Sequence, residues 1–394
     1  MPNRLVLASA GAGKTQIIID DAVARANAGQ KVLILTYTEN NQKELRQRVQ
    51  SSHCQKPQNI KIKGWFTFLL EDMVRPYQEC VFPKRVSGLW FNTVNPHIKN
   101  SAYILGRKEK NKNGDYNCRH FVTEVENKAH SMFLAKLAFR ICEISGAPRK
   151  IGRKTYKIGL PIPRLEKIYD AVFIDEVQDL AGYDYDILKL FSACEGVDIV
   201  AVGDFRQTIY KTSHAKSSPI TSADKINFLK EHGFTLEPMA ISRRCIQSIC
   251  DFADLIHQDE GFEPTVSQVD EGNLANLCGQ HFGVFAVRSG DAEAYLRQFK
   301  PTILRRSISD NPILFEGFTT HNFGVSKGLG FDRCLIFPTE AQQDFLSGNC
   351  NAFAGQGTDE SRNKMYVAVT RARHSVAFLY DGECGLDGID IWVP

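Results

Sequence analysis

The chain has 394 residues, 43% of them hydrophobic and 24% charged, with a formal net charge of +3. This describes a globular protein with enough chain for two or three cores, and so small a net charge does not by itself indicate a polyanion partner. Its eleven cysteines lack any Cys-x-x-Cys pair and no apolar run approaches membrane-span length, which argues against a disulfide frame, a zinc site or a membrane protein and for a soluble, cytoplasmic one.

The apolar run Leu5-Val6-Leu7 reads as a buried strand, followed by Ala8-Ser9-Ala10-Gly11-Ala12-Gly13-Lys14-Thr15 and then by the helical start Gln16 to Ile19. Strand, glycine-rich turn and helix are the context of a phosphate-binding loop. Gly11 and Gly13 allow a tight backbone whose N–H groups face phosphate oxygens, and the helix N-terminus adds partial positive charge. Ala10, Gly11, Ala12, Gly13, Lys14, Thr15 and Gln16 are therefore the expected nucleotide contacts. Lys14 would reach the β- and γ-phosphates, and Thr15 would coordinate Mg²⁺.

Lys31 to Thr36 reads as a second parallel strand, and the polar residues Tyr37 to Asn41 follow its carboxyl end, where open α/β sheets bind ligands. A third run, Ile60 to Ile62, leads into Gly64 to Leu70. There Trp65, Phe66 and Phe68 suit either base stacking or core packing. From about Pro76 to Pro163 the strand–helix alternation stops. This stretch holds a polar loop at Arg107 to Gly114, helical spacing from His130 to Ser145, and the basic cluster Arg149, Lys150, Arg153, Lys154 and Lys157. That cluster suits either a solvated surface or phosphate contacts.

Tyr169 to Asp179 restores the pattern as an apolar strand ending in acids. Asp175 is placed to hold Mg²⁺, and Glu176 to take a proton from an attacking water. The strand Val197 to Val202 runs into Gly203-Asp204-Phe205-Arg206-Gln207, where the Gln207 amide could bond a γ-phosphate or a water. Lys211 to Ser222 reads as a linker. Beyond it come a helix over 242–256, strands near 284–287 and 302–304 with a helix between them, strands over 313–320 and 333–337, and a closing strand over 376–380 after the block Lys364 to Arg373. The expected architecture is α/β with two parallel-sheet domains. The first covers 1–75 and 164–215, a small, mostly helical and basic accessory insertion covers 76–163, and the second domain covers 216–394.

In this order the motifs resemble those of superfamily-one helicases of the UvrD/Rep type. The resemblance rests on Ala8 to Thr15, Leu35 to Asn41, Gly64 to Leu70, Phe173 to Asp179, Gly203 to Tyr210, Ser242 to Cys245, Asn322 to Asp332 and Tyr366 to Arg373. It implies two RecA-like domains, ATP and Mg²⁺ as cofactors, and single-stranded DNA (or duplex with a 3′ tail) as partner, with stepping 3′ to 5′. It further implies Gln207 as γ-phosphate sensor, Arg244 and Arg371 as phosphate-contacting arginines, and Tyr37, Thr38, Asn40, Trp65, Phe66, Tyr210 and Lys327 as DNA contacts. Gly330 stands where the family has Glu, and Asn322 and Gly324 stand where Thr and His are expected, unless a gap lets Thr320-His321 serve there. With the chain starting just before its first strand and ending some twenty residues after Arg371, relaxed selectivity for the nucleotide base and no fused nuclease are also expected. The alternative is a DNA-sensing ATPase switch that licenses a partner such as a nuclease without processive unwinding.

Overall fold

The computed structural model describes residues 3–92, 94–151, 154–209, 218–274, 276, 279, 281–307, 309–310, 314–355 and 359–394. It divides into two compact units. The first is Met1–Val6, Lys14–Gly203 and Tyr210–Glu237; the second is Leu7–Gly13, Asp204–Ile209 and Pro238–Pro394. Residues 218–237 thus belong to the first unit rather than to the second, against the boundary at 216 expected from the sequence.

The first sheet has six strands in the order Phe234–Met239, Asn3–Ala8, Asp198–Gly203, Ala171–Asp175, Val32–Thr36 and Ile60–Gly64. Val32–Thr36 and Ala171–Asp175 are buried along their whole length, as continuous apolar runs are when helices cover both faces of a parallel sheet. Their parallel register sets Ala171 against Val32 and Ile174 against Leu35. Thr36 and Asp175 therefore emerge side by side at the carboxyl edge, the edge where such sheets bind ligands.

In the main sheet of the second unit the six strands are parallel, in the order Thr320–Asn322, Thr302–Arg305, Phe331–Ile336, Ala372–Leu379, Gly283–Val287 and Asp390–Trp392. Alternate residues feed opposite cores, as the two-residue strand period requires. Cys334, Ile336, Val376 and Phe378 pack with Ile249, Phe252 and Met365, whereas Leu335, Ala377 and Leu379 pack with Tyr295, Leu296 and Trp392. Two expected elements are shorter than their sequence patterns. The strand expected over 313–320 occupies only Thr320–Asn322, because Leu314 to Gly317 form a turn in which Phe315 is buried and Gly317 has φ +82°. The helix expected from Ser242 begins at Gln247, since Ile241–Ser242 is a short strand and Ile246 is extended.

The insertion belongs to the first unit. Its helix Ser131–Ser145 buries residues 131–138 together with Ile141 and Cys142, so it is a core helix rather than a surface one. Arg149 of the expected basic cluster lies on the hairpin Ala147–Ile151 and Lys154–Ile158 and is engaged by Glu166 and the Ala193 carbonyl. Lys150 and Lys157 are exposed, while Arg153 falls outside the described residues.

Candidate nucleotide and nucleic-acid site

The strand Asn3–Ala8 delivers the glycine-bearing loop, and the helix Lys14–Asn27 starts directly after it. Gly11 and Gly13 have φ of +76° and +88°, which a side chain would strain. Gly11 is also required sterically: a Cβ there would lie 2.7 Å from Arg244 Cβ and 2.8 Å from Ser242 Oγ. The Gly11 carbonyl accepts from the Arg243 amide at 3.0 Å, which ties the loop to the Ser242-Arg243-Arg244 segment of the same unit.

In the first unit, Lys14 Nζ lies 3.8 Å from Glu176 Oε1. Glu176 ends the strand Ala171–Asp175 in the left-handed region, with φ 54° and ψ 44°, a conformation that costs a non-glycine residue roughly 1–3 kcal/mol. The carboxylate that this turn presents is also held by the Gln178 side-chain amide. Gln178 is itself fully buried, and its backbone carbonyl accepts from Lys225 Nζ at 2.6 Å.

Asp175 is 4% exposed and accepts from the Thr36 hydroxyl, 3.3 Å away on Oδ2. Burial, and then the neighbouring Glu176 charge, raise its carboxyl above the ordinary range, with Lys14 and Thr36 pulling the other way. Its Oδ1 is buried without a hydrogen-bond partner. A buried carboxylate oxygen left unpaired is costly unless something neutralises it. Hard oxygen donors from Asp175 and Thr15 suit Mg²⁺, which binds through one or two protein oxygens together with phosphates and water.

The second unit carries a buried hydrogen-bond chain through the remaining site residues. The Ala10 N–H donates to Tyr366 Oη at 3.3 Å, and Tyr366 donates to Asp204 Oδ2 at 3.3 Å. Gln207 Nε2 donates to the same oxygen at 2.7 Å, which leaves Gln207 Oε1 to accept from Arg371 Nη2 at 3.4 Å. Arg206 braces this chain, bonding Asp254 Oδ1 and Ser9 Oγ at 2.7 Å each. Burial works against the Arg206 charge, but Tyr366, Asp204 and Asp254 more than offset it and hold its pKa above the ordinary arginine value.

Arg371 is in a different position. It is 1% exposed, and its guanidinium bonds the carbonyls of Val367 and Leu329, the Thr370 hydroxyl and Gln207. Arg244 reaches the Thr370 carbonyl at 3.2 Å. Among the described residues neither arginine has a carboxylate within ion-pair distance. Burial, followed by the Arg244 charge, pulls the Arg371 pKa down to about 10. Two neighbouring guanidinium groups with no carboxylate in direct contact, Asp204 acting on Arg371 only from beyond Gln207, are an arrangement that a bound phosphate would relieve.

The expected DNA contacts separate into groups. Tyr37 and Phe66 are half-buried neighbours with ring centroids 5.5 Å apart, and Asn40 is exposed. Thr38 caps the helix Glu39–Ser51, accepting from the Asn41 amide, and is exposed as well. Trp65 corrects its expectation: it is 1% exposed and its indole N–H donates to Asp184 at 2.7 Å, so it packs in the core and offers no face to a base. Lys327 Nζ donates to the Gln207 carbonyl at 3.2 Å. Tyr210 lies outside the described residues.

Thr36, Gln178, Lys225, Arg206 and Tyr366 were not singled out from the sequence. Thr36, Gln178, Arg206 and Tyr366 lie inside motif stretches, whereas Lys225 carried no signal.

Two parallel sheets, the first opened by a phosphate loop, place the chain in the RecA-like fold class. The family description "UvrD/REP helicase N-terminal domain" matches residues 2–96 and 109–226, more than half of the chain, and the chain belongs to that family. Among solved structures it is similar to one titled "Complex structure of Arterivirus nonstructural protein 10 (helicase) with DNA", at 13% identity and a TM-score of 0.42. That likeness covers 96% of this chain and 60% of the other, so the chain spans less than two thirds of its length. Comparison with curated proteins gives no match. Among the described residues no helix is long and apolar enough to cross a membrane.

Proposed function

We propose that this helicase-family chain is a Mg²⁺- and ATP-dependent translocase or helicase acting on single-stranded DNA, moving 3′ to 5′. Lys14 and the loop Ala10–Gly13 would hold the phosphates, and Thr15 and Asp175 would hold Mg²⁺, which when bound would supply neutralisation of the phosphate charge. Glu176, fixed by Gln178 and Lys14, accepts the proton of the attacking water. Gln207 senses the γ-phosphate, and Arg244 and Arg371 stabilise the charge that develops on the transferring group. Tyr37, Thr38, Asn40, Phe66 and Lys327 are the proposed strand contacts.

The observation that carries this reading is the buried Arg371 with the half-buried Arg244 beside it: among the described residues neither is ion-paired to a carboxylate, and Arg371 is joined through Gln207, Asp204 and Tyr366 to the phosphate-loop amide of Ala10. A purely structural arginine pair would be expected to carry its own counter-ion. Strand displacement on a duplex with a 3′ tail tests the proposal. Wild-type protein separates the strands when ATP is present, while Lys14→Ala and Glu176→Gln do not; separation that persists in either variant refutes the assigned chemistry.

A second reading, a DNA-sensing ATPase switch that licenses a partner such as a nuclease, is favoured by Gly330. A Cβ there would stand 3.6 Å from Arg244 Nε and 3.5 Å from Arg373 Nη2, so this chain lacks a carboxylate where one could engage Arg244. DNA-stimulated hydrolysis without strand separation at any protein concentration would select the switch.

A further inference from the structure

The insertion places an aromatic side chain on the site-bearing edge of the first unit. The strand Gly88–Trp90 pairs in parallel with Lys128–His130, Trp90 opposite His130, and the Asn92 amide donates to Ser131 Oγ at 3.1 Å. Phe91, between these two anchors, is 68% exposed, yet its ring is not isolated. It meets Phe66 edge-on with centroids 5.6 Å apart and planes at 83°, and Phe66 in turn meets Tyr37 at 5.5 Å. Three rings from separate parts of the chain thus form one continuous row. Tyr37 and Phe66 follow the carboxyl ends of adjacent parallel strands, and Phe91 extends the row outward. Trp90 beside it is 48% exposed, with Lys128 Nζ 5.9 Å from its ring centre.

A large apolar ring so open to water gains little from folding, and a single edge contact is a modest return. A row of rings running from half-buried Tyr37 and Phe66 to exposed Phe91, with a cation beside the neighbouring Trp90, is an arrangement that can stack successive bases of an extended strand while tracking its phosphates. We propose that Phe91 is a base-stacking residue that lengthens the single-stranded DNA track of Tyr37 and Phe66 onto the insertion. The inference rests on the nucleic-acid reading above and adds to it a contact outside the helicase motifs.

Binding of an oligo(dT) strand carrying one 2-aminopurine tests it, with full-length wild type, Phe91→Ala, Phe91→Leu, Phe91→Trp and Phe66→Ala compared over a range of salt. Losing one base–aromatic stack weakens binding by between about fivefold and about a hundredfold. Phe91→Ala and Phe91→Leu both show that loss and a reduced 2-aminopurine quench, Phe91→Trp restores both, and the salt dependence of binding keeps its slope because no phosphate contact is removed. Wild-type affinity and quenching in Phe91→Ala, while Phe66→Ala is weakened, would overturn this inference alone. Full recovery in Phe91→Leu would also overturn it, by reducing Phe91 to packing. Failure of the wild type to bind the strand would overturn the underlying nucleic-acid reading as well.

Discussion

Gly203→Ala tests how Glu176 is held. Gly203 ends the strand Asp198–Gly203, and a methyl group on it would lie 2.4 Å from Gln178 Oε1, 2.9 Å from Val177 Cγ1 and 3.3 Å from the Gln178 backbone nitrogen. Contacts that short force movement. Gln178 cannot withdraw freely, because its side-chain amide is on Glu176 and its carbonyl is on Lys225. Overpacking of this kind costs about 1–3 kcal/mol, and for a unit of this size each kcal/mol lowers the melting temperature by about 2–4 °C. Turnover should fall further than stability implies, by on the order of 10²-fold, because the displaced amide no longer fixes the Glu176 carboxylate. Nucleotide affinity should change little. The assay is a double-mutant cycle with Gln178→Ala, read by kcat, nucleotide Kd and thermal unfolding. Without the Gln178 side chain the shortest contact disappears, so the two changes should be non-additive by at least about 1 kcal/mol. Equal losses from Gly203→Ala in both backgrounds, or wild-type turnover in the single variant, would refute the reasoning.

Three further outcomes follow from the same structure. Glu176→Gln, which keeps shape and removes the base, should lower kcat by about 10²- to 10⁴-fold while nucleotide affinity stays within a few-fold, measured by steady-state hydrolysis and equilibrium binding. Arg206→Met should destabilise the second unit by about 3–5 kcal/mol in denaturant unfolding, since it leaves the charges of Asp204 and Asp254 facing a cavity that held their partner. The clustered histidines of the insertion should make stability depend on acid. Burial, then the charges of neighbouring histidines and Arg107, lowers His97 to about 3 and His130 to about 4. Above pH 6.5 neither the folded nor the unfolded state protonates them. Below it the unfolded chain takes up protons that the folded one refuses, so stability is lost as pH falls, approaching about 2.7 kcal/mol per pH unit between roughly pH 6 and 4 for two groups. His97→Phe should remove about half of that slope in melts recorded against pH; an unchanged slope would exclude His97 as a source.

The sequence was most informative where physics acts locally. The continuous apolar runs before Tyr37 and Glu176 announced buried parallel strands, the run before the loop announced a strand, and the glycines of the loop announced positive φ; the structure carries all of these. Periodicity was weaker at edges, where Ile246 and Gly317 redirect the chain within otherwise regular patterns. Trp65 shows a second limit: an aromatic in a ligand-facing segment reads the same whether it faces solvent or core, and only the distant Asp184 settles which. The braces around the site were illegible for the same reason. Thr36 matters because strand register brings it to Asp175, Arg206 because Ser9 and Asp254 converge on it, and Phe91 because Phe66 is beside it. Such pairings are long-range and leave no mark in local spacing.

The central claim, that nucleotide chemistry in this chain is coupled to a DNA strand, is tested most directly by hydrolysis of Mg-ATP with and without single-stranded oligonucleotide, alongside Arg371→Ala. The account predicts slow hydrolysis that rises to a saturating plateau as the strand is added, and almost none in the variant under either condition. A rate indifferent to the strand, or one that Arg371→Ala leaves intact, would contradict it.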